Sequence, residues 1–201
     1  MLFFESAGYC LAVTIMASCA CRRRIEYGLC FCILWASDLL CSYVLQLEPY
    51  CMLFVSGALF VFLLTTHIQP ALALYRTVTA ITLVYMYTVF FAGIAALFFP
   101  TLWNTTPCTI AITLLQVASS ACFRPLVKQY ILPAHISIQR MITVTGLIVI
   151  GFGGLVVPLM YTLPFHQFYA IVCVILVPVL VFIFFMASYA TAADCFILPV
   201  H

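Results

Sequence analysis

The sequence predicts an all-α polytopic membrane protein with about seven transmembrane helices and its N-terminus on the lumenal or extracellular side. Three observations predict it. Of 201 residues, 67% are hydrophobic and 6% charged, whereas a soluble globular domain carries about 25% charged residues. Charges and prolines divide the apolar stretches into seven segments. All seven basic residues lie in alternate connections between those segments. A chain so poor in charge cannot cover a water-facing surface, which excludes a soluble enzyme, a disordered chain and a nucleic-acid binder. The formal net charge of +2 rests on too few groups to point to acidic partners.

The segments are 2–20, 27–47, 51–68, 77–99, 108–123, 141–163 and 168–190. A span takes about 20 apolar residues. In lipid the backbone must satisfy its own polar groups, so each segment is a helix; strict polar/apolar alternation, the mark of a membrane barrel, is absent. The first segment precedes its basic cluster, Arg22, Arg23 and Arg24, opposite to the order in a cleaved signal peptide, and reads as a retained helix. The second carries Asp38 near its middle. The fourth lies between Arg76 and Pro100. The fifth is the shortest and extends toward Lys128 if that side chain snorkels. The sixth contains Gly151, Gly153, Gly154 and Pro158, and the seventh Pro178. Such residues occur at the broken helices of transporters and at ordinary close helix contacts alike. Residues 1–201 form one integral membrane unit.

Orientation follows from the basic residues. Arg22–Arg24 fall after the first segment, Arg76 after the third, and Arg124, Lys128 and Arg140 after the fifth. The positive-inside rule makes these connections cytoplasmic. The opposite side then receives Asn104-Thr105-Thr106, a candidate glycosylation acceptor, and the interfacial aromatics Tyr50, Trp103 and Tyr161.

Asp38 is the sharpest candidate site. A charged Asp at a helix centre costs about 2.5–3.5 kcal/mol on the insertion scale, so it requires a partner or a water-filled cavity. Two readings stand: an ion, proton or solute site, or a protonated acid hydrogen-bonded between helices. Trp35 and Ser42 share its face, and Gln116 in the fifth segment is a candidate partner. Tyr75, Thr79, Thr82 and Tyr85 form a polar stripe on the fourth segment. The stripe lines a pathway or bonds neighbouring helices. The eleven cysteines do not form a secreted disulfide framework, and Cys19-x-Cys21 and Cys30-x-Cys32 lack the companion ligands of a metal site. Cys19 and Cys21 beside Arg22–Arg24 are candidate palmitoylation sites. Cys51 and Cys108, both near the oxidising side, are a candidate disulfide. The histidines are scattered, and no motif for catalysis, phosphate binding or a cofactor occurs.

Residues 49–157 resemble the multi-spanning envelope proteins of gammaherpesviruses. The resemblance rests on Tyr75-Arg76-Thr77-Val78-Thr79, on Trp103, Pro107 and Cys108 in the following connection, and on Arg124-Pro125-Leu126. It is most specific at Tyr130-Ile131-Leu132-Pro133-Ala134-His135 followed by Gln139-Arg140. It implies residence in host plasma and secretory membranes and in the virion envelope. It also implies association with a type II viral membrane glycoprotein, help for that partner in reaching the cell surface, and cell-to-cell spread of virus. It further implies a bundle similar to that of equilibrative nucleoside transporters, and a longer chain whose later spans follow residue 201. The chemistry expected is helix packing in membrane lipid, with no reaction and no cofactor. The alternative is a solute or ion transporter, or its remnant, with Asp38, Gln116, Thr79, Thr82 and Tyr85 along its pathway. A seven-span receptor fits less well, because no Asp/Glu-Arg-Tyr triplet follows the third segment.

Overall fold

A computed structural model describes residues 2–17, 24–46, 51–66, 68–102 and 105–127, with scattered positions between 143 and 179. The described residues are helical and contain no strand. The predicted sixth and seventh spans lie outside them apart from those scattered positions, as do Cys19, Cys21, Arg22, Arg23, Trp103 and Asn104.

The helices are α1 (Leu2–Ala17), α2 (Arg24–Leu39), α3 (Cys51–Thr65), α4 (Pro70–Phe98) and α5 (Thr106–Leu126). A π-helical turn, Leu40–Val44, continues α2 and is closed by the Leu45 N–H donating to the Leu40 carbonyl at 3.0 Å. Three segments are long and apolar enough to cross a membrane: Ile25–Val44, Pro70–Phe98 and Thr106–Leu126. By length and composition these segments have the character of an integral, multi-pass membrane protein. The helices α1 and α3 are apolar but shorter, 16 and 15 residues. At 1.5 Å per residue each covers somewhat over 20 Å of a hydrocarbon core about 30 Å thick.

The ends of the helices have local causes. The Thr65 and Thr66 hydroxyls donate back to the carbonyls of Phe62 and Leu63, at 2.6 and 2.7 Å, where α3 stops. Gln69 is extended and Pro70 opens α4; proline lacks only an N–H that the first turn would leave unbonded. As a result α4 starts seven residues before the predicted boundary at 77 and runs for 29 residues. Arg76, expected in the preceding connection, therefore sits in its second turn and is buried. The arginine does not mark the helix end, because its aliphatic stem packs like an apolar side chain. Pro107 likewise occupies the first turn of α5, which continues through Arg124 and Pro125 to Leu126. The fifth helix is thus longer than the predicted 108–123, in the direction expected for extension toward Lys128.

The five helices form a closed ring. Each packs against its sequence neighbours, α5 returns to α1, and α1 also touches α4 across the ring. Four contacts fix the register. Ser6 near the start of α1 meets Asp38 at the end of α2. Tyr27 at the start of α2 meets Arg124 at the end of α5. Thr88 of α4 meets Gln116 of α5. Gly8 of α1 meets Thr113 of α5 so closely that a Cβ at Gly8 would lie 2.1 Å from the threonine methyl. The core is apolar and centred on α4, with Val13, Met16, Leu34, Leu59, Leu63, Tyr75 and Val84 all but inaccessible. Hydroxyls within the helices are mostly returned to their own backbone, as at Thr14 to Cys10, Ser56 to Met52, and Thr113 to Thr109. That satisfies them without water.

Candidate functional site

The polar centre of the bundle is Asp38, which is 8% exposed. It lies one residue before the end of α2, near the π turn. Its Oδ2 accepts a hydrogen bond from the Ser6 hydroxyl of α1. Ser6, Tyr9 and Cys10 lie three and four residues apart on α1 and so share one face of that helix. Tyr9 is within electrostatic range of Asp38, and of Tyr85 on α4. Cys10 is within range of Asp38 and of Cys30 on α2. Helices α1 and α2 therefore meet at the carboxyl group, and Tyr9 connects it to α4. Two further donors lie nearby: the Tyr9 hydroxyl and the indole N–H of Trp35, one turn before Asp38. Both are buried and without a hydrogen-bond partner. A buried polar group lacking a partner costs about 1–3 kcal/mol.

A carboxyl group with one hydroxyl already bonded and two unfilled donors close by can hold a proton, a small cation or a polar solute. The sequence named Asp38 and the face that carries Trp35, but not Ser6 or Tyr9. Serine and tyrosine are common in membrane helices, and nothing local tells which of them faces a neighbouring acid.

The remaining predicted residues separate from this centre. Gln116, buried in α5, donates from Nε2 to the Thr88 hydroxyl at 2.7 Å; its described partner is thus on α4, whereas the sequence suggested Asp38. The Thr88 hydroxyl in turn donates to the Val84 carbonyl at 3.0 Å, forming a hydrogen-bond chain from α5 through α4. Thr79 and Thr82 are buried and Tyr85 is half-buried in α4. The face carrying them is not distinct, because α4 is enclosed on nearly every side from Tyr75 to Val84. Ser42, expected beside Asp38, lies instead 3.1 Å from the Cys51 sulfur. Cys51 and Cys108, at the first turns of α3 and α5, are not joined by the candidate disulfide.

Two open cavities flank the bundle, and none of Asp38, Gln116, Thr79, Thr82 or Tyr85 lines either. One, of about 310 Å³, lies between α4 and α5 beside Phe99, Pro107 and Cys108. The other, of about 660 Å³, is a groove along α2 and α3. Its floor includes the small residues Ser37, Gly57 and Ala58, between Ile33, Leu53 and Val61. The space beside the Gly57 Cα is empty. At the other end of the bundle Arg124 donates to the Tyr27 hydroxyl at 2.5 Å, its guanidinium 5.5 Å from the ring centre. Among the described residues no three His, Cys, Asp or Glu side chains group as metal ligands. Comparison with known protein families, curated proteins and solved structures finds no match.

Proposed function

We propose that this chain is a seven-span membrane protein, N-terminus lumenal or extracellular, that acts by holding another membrane helix and catalyses no reaction. The observation that carries the reading is the groove along α2 and α3. It is apolar, open, and lined by Ser37, Gly57 and Ala58 among others. Helices associate in lipid by close packing over small residues, since apolar burial alone gives no advantage there. The occupant proposed is the transmembrane helix of a type II viral membrane glycoprotein. The support for a viral partner is the resemblance carried by Tyr130–His135 and Gln139-Arg140. Residence in host secretory and plasma membranes and in the virion envelope, with aid to the partner's surface transport and to cell-to-cell spread, belongs to the same reading. Gly57→Leu tests it. The substitution fills the groove without a clash inside the chain, because nothing lies near the Gly57 Cα. Co-expression with the glycoprotein encoded by the same genome should recover it with the wild-type chain and recover far less with Gly57→Leu. Equal recovery, or none with wild type, overturns the reading.

A second reading is a solute or ion transporter, and what favours it is the pair of unfilled donors beside Asp38. In reconstituted vesicles it requires uptake that Asp38→Asn abolishes. Vesicles that take up neither ions nor nucleosides count against it.

A further inference from the structure

We infer that the end of the bundle where α2 begins and α5 finishes binds the headgroup of an anionic phospholipid, with Arg124 as its principal contact. Arg124 stands in the last turn of α5. It donates from Nη2 to the Tyr27 hydroxyl of α2 at 2.5 Å, with its guanidinium 5.5 Å from the ring centre. The contact bridges two helices that otherwise meet chiefly through α1. A guanidinium carries five N–H donors, and this bond uses one. Among the described residues no carboxylate is paired with it. A charge held in place at a helix end and not neutralised by the chain favours an anion from outside it, and the planar donor fork matches a phosphate.

The surroundings select a lipid as the source of that phosphate. Charge is segregated along the bundle. Arg24 opens α2, one turn before Tyr27, and Arg76 lies in the second turn of α4, which begins at the end where α5 finishes. Against these three arginines the same end has one described acid, Glu26. The other described acids, Glu5 and Asp38, lie at the opposite end, at the start of α1 and the end of α2. Within two positions of Tyr27 and Arg124, the apolar side chains of Ile25, Phe123 and Leu126 are exposed. A ligand there meets positive charge and apolar surface together. Free phosphate uses only the first, whereas a phospholipid uses both, and basic clusters between helices at a membrane face suit such headgroups. The excess of positive charge favours a headgroup of net negative charge over phosphocholine, whose ammonium it repels. The site shares no residue with the groove along α2 and α3, so it stands whether or not that groove takes a helix.

The test uses the full chain in detergent, titrated with dioleoylphosphatidylserine or dioleoylphosphatidylcholine and read by native mass spectrometry. The wild-type chain should retain phosphatidylserine more tightly than phosphatidylcholine. Arg124→Gln should weaken phosphatidylserine binding about fivefold, the effect of one basic residue at an anionic surface, and leave phosphatidylcholine binding unchanged. Adding Glu5→Gln to Arg124→Gln restores the net charge from the opposite end and should not restore binding. Arg24→Gln, which leaves Tyr27 and Arg124 in place, should also weaken phosphatidylserine binding. Equal retention of the two lipids overturns the site. So does unchanged phosphatidylserine binding in a folded Arg124→Gln chain, or in Arg24→Gln where Arg124→Gln does not fold. Recovery with Glu5→Gln overturns it in favour of net charge alone. Displacement of the lipid by inorganic phosphate overturns the lipid as occupant, in favour of a free-phosphate site.

Discussion

Asp38 shows how one polar residue is tolerated inside an apolar bundle. Its carboxyl group accepts from Ser6 on a neighbouring helix, and interhelical hydrogen bonds in membranes contribute on average about 0.6 kcal/mol and at most about 1.7. Asn preserves an acceptor oxygen for Ser6 and removes the charge, whereas Ala leaves the serine without this partner. Asp38→Asn is therefore expected to retain the thermal stability of the detergent-solubilised protein to within about 1 kcal/mol, and Asp38→Ala to lower it further; thermal melts of the two variants check the order. Gly8 is constrained from the opposite direction. An added Cβ would meet the Thr113 methyl at 2.1 Å, and the threonine cannot turn aside without losing its 2.9 Å bond to the Thr109 carbonyl. Gly8→Ala should cost about 1–3 kcal/mol, the range for overpacking. Adding Thr113→Ser, which removes the offending methyl, should restore most of the loss in the same melt.

At the scale of the helix, ends and irregularities carry the specific information. The segment α2 plus π turn ends at Leu45, and Gln46 then adopts φ 52°, a left-handed conformation that suits glycine. A side chain there costs about 1 kcal/mol, so Gln46→Gly should raise the midpoint of thermal unfolding by a corresponding amount. Gln116 and Thr88 form a side-chain hydrogen bond between α4 and α5. A double-mutant cycle with Gln116→Leu and Thr88→Val should return a coupling of about 0.6–1.7 kcal/mol. A coupling near zero would show that this bond contributes nothing to holding these helices together.

At the scale of the whole molecule, closure of the ring makes α1 a structural member and not an appendage. It packs against α2, α4 and α5, supplies Ser6 and Tyr9 to the polar centre, and makes the close Gly8 contact. Deleting residues 1–20 should therefore collapse the yield of monodisperse protein in size-exclusion chromatography. A deletion variant that elutes like the full chain would show that α2 to α5 stand alone.

The sequence by itself determined the solvent, the helical class and the approximate places where helices interrupt, because these depend on composition and on the positions of charge and proline. It also singled out Asp38, since a lone acid in an apolar run is visible without any contact. It did not determine where α4 begins. Arg76 looked like a boundary, and whether an arginine snorkels or packs inside depends on its neighbours. Nor did it pair Ser6 with Asp38 or Gln116 with Thr88. Only the tertiary structure decided those pairings, and the reason is physical. In water, the contrast between polar and apolar faces tells which side of a helix is buried. In a bilayer, lipid and protein interior are both apolar, so the faces look alike and the register between helices is settled by close packing at positions such as Gly8 and Thr113.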